Sequence, residues 1–117
     1  MILEPRAFDA IRALQRNGRP DFLARLIAKY VASSTEHMVS IRRAVAAGDA
    51  TALWQAAHAL KSSSGMMGAS MIAELCQELE VLGRAATLDR VPEVLSKLEA
   101  SYPSVCAALQ GEAGKSQ

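Results

Sequence analysis

Ala56-Ala57-His58-Ala59-Leu60-Lys61-Ser62-Ser63-Ser64-Gly65-Met66-Met67-Gly68-Ala69 reads as most of one helix and the turn that ends it. Leu53, Ala57, Leu60 and Met67, with small Ser64 between them, follow the i, i+3, i+4, i+7 spacing of a buried helical face. A second stripe on the flank of that face carries His58, Lys61, Ser62, Gly65 and Ala69. The one large polar ring on this helix is thus surrounded by very little side chain. A glycine inside a helix costs about 1 kcal/mol against alanine, so Gly65 needs a reason. Either another helix packs closely there, or a macromolecular partner lays its own surface down onto His58.

Working outward, the neighbouring stretches read as helices too. A short first helix is expected over about Pro5 to Arg16, with Phe8, Ile11 and Leu14 on one side and Asn17-Gly18 ending it. Pro20-Asp21 opens a long helix to about Ala47, with Leu23, Leu26, Ile27, Tyr30, Met38, Ile41 and Val45 in one stripe and Ser34 inside it. Gly48 closes that helix and Asp49 caps the next, which runs from about Ala50 to Met67 and stops at Gly68. Ser70 is expected to cap a fourth helix carrying Ile72, Leu75, Cys76, Leu79 and Leu82, ending near Gly83-Arg84. Asp89 can cap the last helix, with Pro92 early in it, and that helix presents Val91, Val94, Leu95, Leu98, Tyr102, Val105 and Leu109. Pro103 lies inside that stripe and should kink the helix without necessarily ending it. Residues 111–117 read as a disordered tail, which leaves 1–110 as the domain.

Four long amphipathic helices joined by short connections predict an all-α fold, an antiparallel up-down-up-down four-helix bundle, with the short first helix covering one end. Composition agrees. Of 117 residues half are hydrophobic but only five are aromatic, so the core is built from aliphatic side chains that suit helix-on-helix packing. Thirteen basic against twelve acidic residues leave a net charge of +1, with no case for nucleic acid. No apolar run reaches the length of a membrane span and the first residues make no signal peptide, so a cytoplasmic monomer without direct membrane contact is expected. Cys76 and Cys106 lie on apolar faces, far apart in sequence, and read as free thiols.

The hairpin that follows the motif helix makes a geometric expectation. If its turn centres on Ala69, His58 stands 11 residues before it and Glu80 11 after it. At 1.5 Å per residue both lie about 16 Å from the turn, at one level of the bundle. A carboxylate there can accept from the imidazole Nδ1–H, fix the tautomer and leave Nε2 as a nucleophile.

The stretch His58-Ala59-Leu60-Lys61-Ser62-Ser63-Ser64-Gly65-Met66-Met67-Gly68-Ala69 resembles the His-x-x-Lys-Gly-Ser signature, followed by Gly-Ala or Gly-Leu, of histidine-containing phosphotransfer (HPt) domains. The resemblance extends over roughly Leu3 to Leu109. One position departs from it: the family usually has glycine after the lysine, where this chain has Ser62. The resemblance implies a phosphorelay intermediate, in which His58 accepts a phosphoryl group from a receiver-domain aspartate and passes it to another. It assigns Lys61 to neutralising the phosphoryl group and matches Glu80 by position and type to a Gln or Glu that orients the imidazole. Gln55, Ala59, Ser62, Gly65 and Met66 would then line the docking surface. The implied partners are receiver domains of a hybrid sensor kinase or a response regulator. No cofactor and no kinase activity are implied, because the Mg²⁺ belongs to the receiver. An abrupt start and a tail would suit the cytoplasmic C-terminal module of a membrane sensor kinase.

Each residue also has a plainer reading. Lys61 is a solvated charge, Ser63 and Ser64 are small residues that let helices approach, and His37 is structural. The five methionines fill the core. Arg84 serves the carbonyls ending its helix or flanks the docking site, the first being expected. A metal site would call for paired Glu-x-x-His elements, and a hydrolytic one for a Ser-His-Asp or Cys-His arrangement; the sequence has neither. A docking module of the same fold that carries no phosphate is the remaining alternative: Ser62 favours it slightly, and the presence of both His58 and Lys61 opposes it.

Overall fold

Among the described residues five helices follow one another: α1 (Asp9–Arg16), α2 (Phe22–Ala47), α3 (Ala50–Met66), α4 (Ser70–Arg84) and α5 (Val91–Lys115). The structure, a computed structural model, describes residues 2–16 and 21–115, and for 14–16 and 115 the backbone alone. The expected stop at Asn17-Gly18, the opening Pro20 and the packing of Leu14 lie outside those limits. Among the described residues there is no strand, and no helix is long and apolar enough to cross a membrane.

Helix α2 packs on α3, α3 on α4, α4 on α5 and α5 back on α2, which closes an antiparallel four-helix bundle with α1 against α2. The apolar stripes face its axis. Leu23, Ile27, Met38, Ile41, Leu53, Leu60, Ile72, Leu79, Leu98 and Leu109 are fully buried. Two polar bridges cross the same interior. The Tyr30 hydroxyl and Ser64 Oγ share a hydrogen bond of 2.7 Å between α2 and α3. The Ser34 and Tyr102 hydroxyls share one of 2.5 Å between α2 and α5. Buried hydroxyls need such partners, which accounts for Ser34 and Ser64 inside otherwise apolar stripes. Burial also pushes the Tyr30 hydroxyl up to about 12, so it stays protonated at any ordinary pH.

The helix ends follow local chemistry. Gly48 takes the left-handed conformation that closes α2 (φ 65°), and the Asp49 carboxylate accepts from Ala52 N–H at 3.0 Å to cap α3. Ser70, expected as the cap of α4, is its first helical residue; its hydroxyl donates to Glu4 Oε1 at 2.7 Å instead. Entry into α5 is made by backbone, with Val91 N–H donating to the Leu88 carbonyl. The helix then runs through Pro103.

Two expectations at the chain ends are corrected. Residues 5–8 form turns, and α1 begins only at Asp9. Glu4 N–H donates to the Gly68 carbonyl at 2.8 Å, so the segment before α1 is tied to the α3–α4 turn and cannot wind into the helix. At the other end Gly111 to Lys115 continue α5 where a tail was expected. Glu112 pairs with Arg12 at 2.6 Å and Ala113 packs against the core, and these tertiary contacts outweigh two glycines.

The tie between the N-terminal segment and the α3–α4 turn yields a stability prediction. Gly68 has φ 72°, and a Cβ there would stand 2.5 Å from Ala7 Cβ. Gly68→Ala carries both a left-handed backbone, about 1–2 kcal/mol for a residue with a Cβ, and that overlap. Thermal unfolding should show a Tm lower by several degrees, while Gly65→Ala, with nothing within 4 Å of its added Cβ, leaves Tm unchanged or raised.

Candidate functional site

Halfway along α3, His58 lies on the flank of the buried stripe, its side chain 55% exposed. The empty space around it is real. Nothing lies within 4 Å of a Cβ added to Gly65, so close packing within the chain does not explain that glycine. Gln55, Ser62, Gly65 and Met66 are exposed beside it and Ala59 is half-buried. Met66 is 77% exposed, which makes it the most exposed large apolar side chain of the described residues. It is a surface residue here, not core filler; Met67, its neighbour, is buried.

The contact expected from the hairpin count is present. Glu80 reaches from α4, and His58 Nδ1 stands 3.2 Å from its Oε1 and 3.3 Å from its Oε2. Glu80 is nearly buried, at 6% exposure. A carboxylate in that position is tolerable only with its charge compensated, and two cationic side chains and the His58 ring converge on it. Lys61 Nζ donates to Oε1 at 2.7 Å and Arg84 Nε donates to Oε2 at 3.0 Å, and the third partner is the His58 ring through Nδ1. The Lys61 hydrogen bond is the largest influence on the Glu80 carboxyl. Burial pulls the other way, and with His58 and Arg84 added the group is held down to about 2, from an ordinary 4.5.

An ionised carboxylate beside the ring fixes the arrangement of protons. Nδ1–H donates to Glu80, and Nε2, on the exposed side, is left with its lone pair. Cys76 offers no competing nucleophile. It is buried in the core, and burial pushes its thiol up to about 12.

Lys61 and Arg84 are arranged differently from expectation. Lys61 also donates to Gln77 Oε1 at 2.8 Å, so its ammonium rests on α4 between Gln77 and Glu80 and is not free over His58. Arg84 does not spend itself on the carbonyls ending α4: it bonds Glu80, and its guanidinium carbon lies 3.8 Å from the centre of the Trp54 ring. The Arg84–Glu80 pair was legible in the sequence as an i, i+4 pair. The Trp54 platform was not, because it depends on how α3 crosses α4. His37, half-buried on α2, is distant from this cluster in sequence and on another helix.

The Glu80 charge has a consequence for acid stability. A carboxyl depressed from 4.5 to about 2 on folding stabilises the native state fully above pH about 4.5, and that contribution is lost as pH falls towards about 2. Denaturant unfolding of the parent between pH 5 and pH 2 should therefore show a decline that Glu80→Gln, which has nothing to titrate, shows less of. Equal slopes for the two proteins in that window would mean that Glu80 is not paired in solution.

Comparison with known proteins follows the same line. The family model described as the Hpt domain matches residues 25–110. The crystal structure of histidine-containing phosphotransfer protein B (HptB) from Pseudomonas aeruginosa PAO1 is similar over 97% of this chain and 96% of that one, with a TM-score of 0.85 and 31% identity. A search among curated proteins gave no match. With the family model covering α3 and α4 and most of α2 and α5, and the bundle superposing nearly end to end, the chain belongs to the Hpt domain family of phosphotransfer-relay modules.

Proposed function

We propose that this domain is a phosphorelay intermediate that takes a phosphoryl group from the aspartyl phosphate of a receiver domain onto His58 and delivers it to the aspartate of another receiver. The observation that carries this reading is the exposed imidazole whose Nδ1 is held by a nearly buried, ionised carboxylate. In the step itself, the Nε2 lone pair forms the N–P bond as the P–O bond to the receiver's aspartate breaks. The electron pair of that bond returns to the aspartate carboxylate. The ring proton stays on Nδ1, and the positive charge the ring gains is balanced by Glu80. Running the step backwards onto a second aspartate regenerates neutral His58.

Lys61 has a short path to the reaction. It lies one turn after His58 on α3, so release from Gln77 lets its ammonium meet the phosphoryl oxygens. The chain contributes no nucleotide chemistry in this scheme; the Mg²⁺ stays with the receiver's aspartate, and the domain is a carrier and not a kinase. In-line transfer requires the reacting atoms to close to about 3–3.5 Å, and a receiver can reach that distance only over a low surface. Gln55, Ala59, Ser62, Gly65 and Met66 form that surface. The partners are receiver domains of a hybrid sensor kinase or a response regulator.

The test is transfer from a receiver carrying radiolabelled phosphate on its aspartate. The expected result is label moving to this domain in a form stable to alkali and lost in acid, as a phosphoramidate bond is. A receiver that binds the domain while its label disappears only as free phosphate would leave a docking module and overturn the relay.

A further inference from the structure

The Glu80 carboxylate has two oxygens and, around them, two cations and the His58 ring. Lys61 takes Oε1 and Arg84 takes Oε2, while His58 Nδ1 stands between them. Arg84 is held from its other side. Its guanidinium lies 3.8 Å over the centre of the Trp54 ring, the cation–π arrangement in which the planar group stacks on the aromatic face. Trp54 stands one turn before His58 on α3, and Arg84 one turn after Glu80 on α4. The two residues thus extend the contacts around Glu80 on the side away from Lys61.

A separate feature of the backbone makes this stacking possible. A Cβ on Gly83 would meet Trp54 Cβ at 2.9 Å, the Ala50 carbonyl oxygen at 3.0 Å and Trp54 N at 3.1 Å. The missing side chain lets α4 come down directly on α3 at Trp54, and Arg84 follows Gly83 in sequence. A side chain that is half-exposed, and so free to wave in solvent, is in this way bonded through Nε to Glu80 and stacked by its guanidinium on Trp54.

Electrostatics give this arrangement a task. A phosphoryl group on Nε2 competes with Glu80 for the Lys61 ammonium. When Lys61 turns to the phosphoryl oxygens, Oε1 loses its shortest contact, and holding the carboxylate against the ring falls to the partner on its other oxygen. Arg84 is bound to the other oxygen and does not need to move. We propose that Trp54 and Arg84 are a positioning pair for phosphotransfer, keeping Glu80 on His58 Nδ1 while Lys61 serves the phosphoryl group. The proposal rests on His58 as the phosphoacceptor and adds the two residues that hold its tautomer through the step.

The experiment uses phosphoramidate as the donor, a small molecule that needs no docking surface. Arg84→Gln should label about tenfold more slowly than the parent, the lower end of the effect of losing an outer partner of a functional imidazole. Trp54→Leu should slow labelling to a similar degree. Trp54→Phe keeps an aromatic face and should recover much of the rate, and the Trp54→Leu/Arg84→Gln double variant should lose no more than either single change. Long-range ¹H–¹⁵N NMR should show the His58 ring proton shifting partly from Nδ1 to Nε2 in each slowed variant, with helical content unchanged by circular dichroism.

Labelling of Arg84→Gln at the parent rate, with the proton still on Nδ1, would overturn the proposal. So would equal loss in Trp54→Leu and Trp54→Phe without a tautomer shift, which is the mark of a purely structural tryptophan. A defect seen with a phosphorylated receiver but not with phosphoramidate would make Arg84 a docking contact and overturn it as well. Failure of the underlying phosphoacceptor assignment is recognised separately, because His58→Gln would then still take the label. Arg84 is exposed enough that Arg84→Gln folds, so the outcome does not hang on the tryptophan variants.

Discussion

His58→Gln is expected to take no label from a phosphorylated receiver, while its circular dichroism and Tm stay close to those of the parent. Both halves follow from the same geometry. On the proposed reading the ring Nε2 is the attacking nitrogen, and glutamine offers an amide that does not attack phosphorus. Its side chain is more than half exposed and fills no core space, so truncation of the ring opens no cavity. The substitution does remove one partner from Glu80, but Lys61 and Arg84 remain on its two oxygens and keep the carboxylate compensated. The rate effect should therefore be complete and the stability effect within a few tenths of a kcal/mol, as for surface positions generally. Persistence of acid-labile label on the variant would move the assignment elsewhere, with His37 the first position to substitute next.

Ser62→Arg should give nearly as large an effect on transfer from a receiver, by a different route. Ser62 is exposed on α3, one turn after His58, where the resemblance to the family leads one to expect glycine. A long charged side chain there stands in the path of a receiver and has no reason to unfold the bundle, because arginine is a good helix former. Transfer from a receiver should fall by orders of magnitude, while labelling by phosphoramidate stays near the parent rate. Ser62→Gly should hold or raise the receiver-dependent rate, despite losing up to about 1 kcal/mol of helix propensity. Equal rates for the Ser, Gly and Arg forms would place the docking surface elsewhere than on this stripe.

The two results separate what the site does from what it admits. A variant that loses both donors has lost the nucleophile; one that loses only the receiver has lost the surface. Trp54 and Arg84 are expected in the first group despite lying outside the motif, because their action passes through Glu80 to the ring.

Much of this was legible in the amino-acid sequence because periodicity and turn chemistry are local. Leu53, Ala57, Leu60, Ser64 and Met67 are all buried, as their spacing requires, and Gly48, Asp49 and Gly68 punctuate the chain where their backbone preferences put them. The His58–Glu80 level was also accessible, since a tight hairpin between two straight helices converts sequence distance directly into height along the bundle. The misses share one cause. Ser70 was available as a cap and instead donates to Glu4, 66 positions away. Gly111 and Gly114 weaken a helix locally, yet α5 continues through them to Lys115 because Glu112 pairs with Arg12, 100 positions away. Partners so distant leave no local pattern to read.

By itself, then, the sequence determined the helical bundle, the faces that α2 to α5 bury and the exposed surface around His58, since these follow from side-chain size and a 3.6-residue repeat. Only the tertiary structure decided how the charges share one another. Lys61 rests on Gln77 and Glu80, and Arg84 lies between Glu80 and Trp54, because Gly83 lets α4 settle on α3 at that point. The pairing of long, flexible cations is set by the angle and separation of the helices that carry them, and no spacing along the chain records either.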